Sequence, residues 1–332
     1  MVKPNRRNVF VTGGSGFTGG ALCRTLGERG YDVTALVRNS SKTASLERLG
    51  ATMVVGDLRD KASFASALAG ADTVYHIGAA FREAKLSDKD YHDVNVSGTR
   101  NVIESAAENG VRRVVHCSTI GVHGDTGRTP ATEESPFAPP DYYCRTKLEG
   151  ELLARELFET LDIEGAVFRP LGIYGPGDTR FLKLFRSIAR GRFRMIGSGE
   201  TLYHLTYIDD LCRGIVMCGE HDDANGEVFI LGGEGYVTLN QWVAEVATVV
   251  DGRIPRMHIP LAPVMLAAAL CEAACRPLGI EPPLYRRRVE LFSKDRAADI
   301  SKAKRVLGYR PEVSLADGLG RTATWYQEQG LL

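Results

Sequence analysis

The chain has 332 residues, and its 41 Lys and Arg balance 41 Asp and Glu to a formal net charge of zero. That balance argues against a nucleic-acid binder, and seven unpatterned cysteines argue against a disulfide-stapled secreted domain. With 44% hydrophobic and 25% charged residues, no apolar leader and no run of ~18 apolar residues, the expectation is a reduced, cytoplasmic globule.

Strand-like and helix-like segments alternate from the start. Asn8–Thr12 is a short strand ending in glycines, and residues 17–29 form a helix closed by Gly30. Residues 31–37 are a second strand. Residues 41–49 are a second helix, opened by a Ser cap and stopped by Gly50. Thr52–Val55 is a third strand, residues 61–69 a third helix and residues 73–77 a fourth strand. One long helix fits residues 88–109. Arg113–Cys117 is a fifth strand, residues 142–161 are helical, and residues 166–168 are strand. Parallel strands need such crossover helices, so the predicted fold is α/β, a doubly wound parallel sheet. After Leu171 the rhythm loosens and loops turn Gly-rich, with helices at 180–190, 209–218 and 240–250.

The first strand runs into Thr12-Gly13-Gly14-Ser15-Gly16-Phe17-Thr18-Gly19 and then a helix. Glycines at 13, 16 and 19 permit a tight turn, close backbone approach to a pyrophosphate and helix–strand packing. The amides and dipole at the helix start favour phosphate. Ser15, Phe17 and Thr18 complete the candidate cradle. The second strand ends at Arg38, where an acidic residue would bind a ribose 2′-hydroxyl and an Arg accommodates a 2′-phosphate. Arg38 therefore favours NADP(H) over NAD, with Lys42 as a second cation. Asp57, ending the third strand, stands near the adenine edge or caps the next helix.

Tyr143 and Lys147 lie four residues apart, on one face of a predicted helix. A neighbouring ammonium lowers a phenol from its ordinary pKa of ~10 toward a useful acid–base range. Tyr142 fits this spacing less well. Strand five delivers Cys117-Ser118-Thr119 to the end of the sheet, where ligands bind in open α/β folds.

The glycine turn, Asp57-Leu58, His76-Ile77-Gly78-Ala79-Ala80, Asn95-x-x-Gly98-Thr99, Ser118-Thr119, Tyr143-x-x-x-Lys147 and Arg169-Pro170-x-x-x-Tyr174-Gly175-Pro176-Gly177 occur in that order. Together with Tyr207-Ile208-Asp209-Asp210 and Asp299-Ile300-Ser301-Lys302-Ala303, they resemble the extended short-chain dehydrogenase/reductase family. The resemblance implies a Rossmann domain over residues 1–170. Residues 171–332 would be mainly a smaller C-terminal substrate lobe, interleaved with the last sheet strands. It implies Tyr143 as general acid/base and Thr119, rather than Ser118, as the hydroxyl on the same substrate oxygen. Lys147 would bind the nicotinamide ribose and depress the Tyr143 pKa. Asn95, Leu58, Ile77, Gly78, Ala79, Cys117 and Pro170 would complete the cofactor side, with no metal. A homodimer through helices 88–109 and 142–161 is implied likewise.

Three branches of the family compete. Nucleotide-sugar 4,6-dehydratases carry Asp-Glu after the Thr, where this chain has Ile120-Gly121. Nucleotide-sugar epimerases commonly carry an Arg where this chain has Tyr203, and an acid where it has Arg38. Arg192 and Arg194 remain to meet a phosphate, so an epimerase with tightly held NAD is kept as the alternative. The third branch resembles 3β-hydroxysteroid dehydrogenases and related ketone reductases. Leu261–Cys275 is almost wholly apolar, followed by Arg276, Pro282-Pro283 and three arginines at 286–288. That stretch is a buried core helix, an apolar cover for a lipid-like substrate or a peripheral membrane contact, since it is too short to span.

The expected function is hydride transfer with NAD(P) between a secondary alcohol and a ketone on an apolar, steroid- or polyketide-like small molecule. A non-catalytic cofactor-binding regulator would not need Thr119, Tyr143 and Lys147 together. His76, His116 and His123 flank strand ends and are expected to pack or hydrogen-bond there. Cys271 and Cys275 are expected to be small apolar residues rather than zinc ligands.

Overall fold

The computed structural model describes residues 7–39, 43–81, 86–254, 257–275, 282–284 and 286–332. The strands are β1 (Asn8–Thr12), β2 (Asp32–Val37), β3 (Thr52–Val55), β4 (Thr73–His76), β5 (Arg113–Cys117), β6 (Glu164–Pro170), β7 (Gly172–Tyr174), β8 (Met195–Ile196), β9 (Leu202–Tyr207), β10 (Val228–Leu231), β11 (Tyr236–Thr238) and β12 (His258–Ile259). The helices are α1 (Phe17–Glu28), α2 (Ala44–Arg48), α3 (Asp88–His92), α4 (Gly98–Glu108), α5 (Tyr142–Thr160), α6 (Leu182–Ala189), α7 (Ile208–Glu220), α8 (Leu239–Val249), α9 (Leu261–Cys275), α10 (Arg286–Val289), α11 (Ser301–Leu307) and α12 (Leu315–Glu328).

Seven strands form one parallel sheet in the order β3-β2-β1-β4-β5-β6-β10. Successive strand side chains point to opposite faces. Val9 and Val11 therefore enter one core, with Leu22 of α1 and Leu211 of α7. Phe10 enters the other, with Val102 of α4 and Ala154 of α5. The sheet is thus covered on both sides, as the doubly wound reading requires. The chain leaves the sheet after β6 and returns to it with β10. The intervening and following segments build two small sheets, β11-β9-β7 and β12-β8. No helix among the described residues is long and apolar enough to cross a membrane.

Three expected elements differ. The helix expected at 61–69 is two short 3₁₀ turns, Lys61–Ser63 and Ala65–Leu68. Ser63 explains the break, since its hydroxyl donates to the Asp60 carbonyl (2.6 Å) and accepts the Asp57 amide (3.0 Å), which offers the backbone an alternative to helix. The helix expected at 41–49 is described only as α2, and its Ser41 cap lies outside the described residues. The single helix expected at 88–109 is three pieces. A capping box between Ser87 and Asp90 starts α3, a π-helical turn at Asp93–Ser97 follows, and α4 completes it.

The π turn has a packing cause and a consequence. A Cβ on Gly150 of α5 would stand 2.3 Å from the Asn95 carbonyl oxygen, so the two helices approach to backbone contact there. Such single π turns inside α-helices concentrate at functional sites. Asp141 caps the start of α5 by accepting the Cys144 amide at 2.8 Å, which places Tyr143 in its first turn. The buried-core reading of Leu261–Cys275 does not hold: among its side chains only Ala268 is buried.

Gly150→Ala forces α5 off the π turn and is expected to destabilise the fold by about 1–3 kcal/mol, the range for overpacking. Gly27→Ala, in α1 with open space around it, is expected to be neutral or mildly stabilising. Thermal midpoints of the two variants against the parent check the contrast.

Candidate active site

The strand order reverses between β1 and β4, and a crevice at such a reversal is where α/β folds take ligands. Its floor is backbone. Gly13 has φ of +72°, and a Cβ there would lie 2.8 Å from Gly78. A Cβ on Gly19 would lie 2.1 Å from the Gly13 carbonyl oxygen. Gly16 precedes α1 with no side-chain cap, and the first turn of α1 holds no acid. Amides without a capping side chain, at a helix start without negative charge, suit a pyrophosphate. Ser15 and Gly16 are exposed at the tip, Phe17 and Thr18 half-buried. Ile77, Gly78 and Ala79 form the facing wall, with Gly78 close to Leu58. The residues therefore fit a dinucleotide.

A continuous hydrogen-bonded chain runs from that wall to the catalytic helix. The Gly78 amide donates to the Thr12 hydroxyl (2.9 Å), which sits 2.8 Å from His76 Nδ1. His76 Nε2 is 3.1 Å from the Thr99 hydroxyl, which gives its own proton to the Asn95 carbonyl at 2.8 Å. Nε2 must therefore carry the hydrogen and Nδ1 accept from Thr12, which fixes the neutral tautomer of His76. Burial, reinforced by the Lys147 cation, pushes His76 down to a pKa of about 3. The Asn95 carboxamide accepts the Ala80 amide (2.8 Å) and donates to the Ala80 carbonyl (3.3 Å) and the Thr146 hydroxyl (3.0 Å). Thr146 donates in turn to the Tyr143 carbonyl at 3.0 Å.

Tyr143, Lys147 and Glu151 share one face of α5 at steps of four residues. Tyr143 is 9% exposed, with Phe81 edge-on at 5.2 Å and Tyr91 at 6.4 Å. Lys147 is buried and donates to the Cys117 carbonyl at 2.6 Å. Burial pulls its pKa below the usual lysine range, while Cys117 and Glu151 act the other way. Glu151 is fully buried. It accepts the Ser118 hydroxyl (2.5 Å) and both arms of Arg169 (3.0 and 2.5 Å). Arg169 also reaches His123 Nε2 at 3.0 Å, and His123 Nδ1 meets the Pro136 carbonyl at 3.1 Å. Ser118 is thereby turned into the interior. Thr119 is half-buried, caps the turn Ile120–His123 by accepting the Gly121 amide at 3.2 Å, and still has a proton to give. Tyr142 lies apart from this face, under the Arg145 guanidinium.

The remaining candidates fall into place unevenly. Arg38 is exposed at the end of β2, and its charge helps hold Asp57 ionised. Asp57 caps no helix. Its carboxylate takes the Arg59 side chain (2.9 and 2.6 Å) and the Arg59 amide, which keeps it below the usual carboxylate range. Lys42 lies outside the described residues. Pro170 is buried at the end of β6. Tyr203 is buried on β9, and Arg296 donates to its hydroxyl at 2.8 Å, so a cation does stand beside the position. Of the expected histidines, His76 and His123 hydrogen-bond. His116 packs against His76, centroids 5.2 Å apart, with both ring nitrogens buried and unbonded. Thr12 and Thr99 stand in motifs read from the sequence but had no role assigned there, and Thr146, Glu151, Phe81 and Arg180 escaped sequence reasoning. Of these last four, only Glu151 carried a signal, its place one turn beyond Lys147. Arg180 pairs with Asp178 and lies over both Phe17 and Phe81, tying the glycine turn to the wall beside Tyr143. Among the described residues there is no group of ligands able to hold a metal ion.

Residues 9–232 match the model of the NAD dependent epimerase/dehydratase family. The chain belongs to that family. It is 32% identical over 321 residues to a 4-hydroxy-2-methyl-3-oxo-4-farnesyl-3,4-dihydroquinoline-1-oxide ketoreductase of Stigmatella aurantiaca, covering 94% of each chain. It is 30% identical over 318 residues to an N-acetyl-alpha-D-glucosaminyl-diphospho-ditrans,octacis-undecaprenol 4-epimerase of Escherichia coli O157:H7, covering 95% of this chain and 94% of that one. The crystal structure of gox2253 superposes with a TM-score of 0.83 at 28% identity, covering 98% of this chain and 100% of the other. The protein is thus an enzyme of the extended short-chain dehydrogenase/reductase type, a group of NAD(P)-dependent oxidoreductases and epimerases.

The two buried histidines generate a pH dependence. Between pH about 6.5 and about 3 the unfolded chain binds a proton at His76 that the folded chain refuses. Stability is therefore full above that window and falls as pH is lowered into it. Burial shifts His116 in the same direction. His116→Leu breaks no hydrogen bond. It should flatten the fall between pH 6.5 and pH 5 by up to about 1.4 kcal/mol per pH unit. Urea unfolding at a series of pH values checks this, and an unchanged slope contradicts it.

Proposed function

We propose that this family member is an NADP(H)-dependent oxidoreductase interconverting a secondary alcohol and a ketone on an apolar substrate. The observation that carries the reading is the aromatic wall beside the Tyr143 phenol. Phe81 stands edge-on to Tyr143 and is itself 43% exposed, with Tyr91 behind. Such a wall stabilises hydrocarbon and gives a diphosphate no compensating polar groups. Arg180, the cation nearest Phe81 among the described contacts, is held by Asp178 and the Ile173 carbonyl. The dehydratase branch lacks its acidic pair, because Ile120-Gly121 follow Thr119. The ketoreductase relative, by its name, acts on a farnesyl-bearing oxo compound.

In this reading the turn 13–19, Leu58, Ile77, Gly78, Ala79, Asn95, Cys117 and Pro170 line the cofactor crevice. Arg38 meets the 2′-phosphate, and Asp57 lies toward the adenine. When bound, the nicotinamide supplies or accepts a hydride. The chain itself handles the proton. The Tyr143 hydroxyl gives it to the forming alkoxide, or takes it in the reverse direction. The Thr119 hydroxyl donates to the same oxygen and fixes its position. The Lys147 ammonium, held from below by the Cys117 carbonyl, favours the phenolate and makes the proton easier to release. Phe81 and Tyr91 keep water from the phenol.

A second reading, epimerisation with retained NAD, is favoured by Arg296 beside Tyr203 and by the name of the undecaprenol-linked relative. Turnover of long-chain ketones with NADPH or NADH separates the two. The oxidoreductase reading expects net NADPH consumption, preferred about tenfold or more over NADH through one charge-assisted contact at Arg38, and lost in Arg38→Asp. Tyr143→Phe is expected to lower turnover by about 10²–10⁴, while Tyr142→Phe costs little. Micromolar UDP binding with no net cofactor consumption would favour the epimerase instead.

A further inference from the structure

We propose that α9 is a docking surface for an anionic lipid bilayer, on which the enzyme lies without crossing. A helix that is apolar all round is ordinarily buried in a core or in a membrane. This one is not buried in its own chain. Leu266 and Leu270, one turn apart, are each 63% exposed, and Ala268 is the sole buried side chain of the helix. The segment leading into it adds Ile254 at 59% and Met257 at 61%. Apolar exposure of this kind marks an interaction surface.

The charge of the sequence flanking the helix selects the occupant. The only ionised side chain on α9, Glu272, is taken up by Arg286 at 3.1 Å and by the Arg286 amide at 2.9 Å. Residues 253–288 carry six arginines against two glutamates, a surplus of four in a chain whose net charge is zero. The basic stretch begins α10, which packs directly on α9. A protein partner needs directional polar contacts at the rim of its interface, and α9 offers almost none. A bilayer needs only hydrocarbon to bury and positive charge beside its headgroups. At about 1.5 Å per residue, fifteen residues reach roughly 22 Å, short of the ~30 Å hydrocarbon core, so the helix lies in the interface. This inference is independent of the substrate proposed above.

The test is co-sedimentation of the full chain with phosphatidylcholine vesicles, either pure or containing about one third phosphatidylglycerol. The expected result is binding to the anionic vesicles, weaker binding to the neutral ones, and release by salt. Leu266→Ser with Leu270→Ser, both at exposed positions, should lower anionic-vesicle binding about tenfold or more. The thermal midpoint of the double variant, whose altered side chains are exposed, should match that of the parent. Three outcomes overturn the proposal: no binding to either vesicle, equal binding by the double variant, or a drop in solution mass of the double variant by light scattering. The last would assign α9 to a second copy of the chain.

Discussion

Everything at the candidate site depends on where the Asn95 carboxamide and carbonyl are held. Its side chain bonds both backbone groups of Ala80 and the Thr146 hydroxyl, and its carbonyl accepts Thr99. Three parts of the fold that are distant in sequence meet at this one residue: the loop after β4, the start of α4 and the first turns of α5. The π turn that carries it lets Gly150 approach to backbone contact. A buried donor or acceptor left unpaired here would cost about 1–3 kcal/mol, so the chain is held complete from Thr12 to Tyr143. The crevice wall and the proton-handling phenol are thereby registered to each other through hydrogen bonds rather than through loose packing.

Beneath that chain lies a second, charged layer. Lys147, Glu151 and Arg169 are all buried, and their signs alternate. A lone ammonium in this setting would lose its proton readily, as the direction of its shift indicates. The Glu151 carboxylate opposes that loss, and Arg169 in turn holds the carboxylate with two hydrogen bonds. The arrangement leaves one net positive charge under the phenol: Glu151 and Arg169 compensate each other directly, and the Lys147 ammonium is held by the neutral Cys117 carbonyl. His76 and His116 are kept neutral by the same burial and by the nearby ammonium.

Local spacing was legible in the sequence. The glycine turn, the four-residue step from Tyr143 to Lys147 and the alternation of strand and helix are all short-range patterns, and they appear where they were expected except over residues 61–69 and 88–109. The π turn was not legible, because apolar periodicity runs on across residues 88–109 and one extra residue in a turn barely changes it. The break at Ser63 depended on a side chain competing with the backbone. The exposure of α9 was hidden for a different reason: when every face of a helix is apolar, the pattern carries no direction. The small sheets pair segments far apart in sequence, such as Tyr174 with Tyr207, and the buried Glu151–Arg169 pair joins α5 to β6.

The central claim is that the chain through Asn95 and Thr146 acts as a unit in placing Tyr143. A double-mutant cycle on turnover, with Asn95→Ala and Thr146→Val measured singly and together, tests it most directly. Groups that share one network couple by about 0.5–3 kcal/mol. The double variant should therefore be little worse than the poorer single one, with cofactor affinity changed far less than turnover. Additivity of the two losses to within about 0.3 kcal/mol, or turnover untouched by Thr146→Val, would contradict the account.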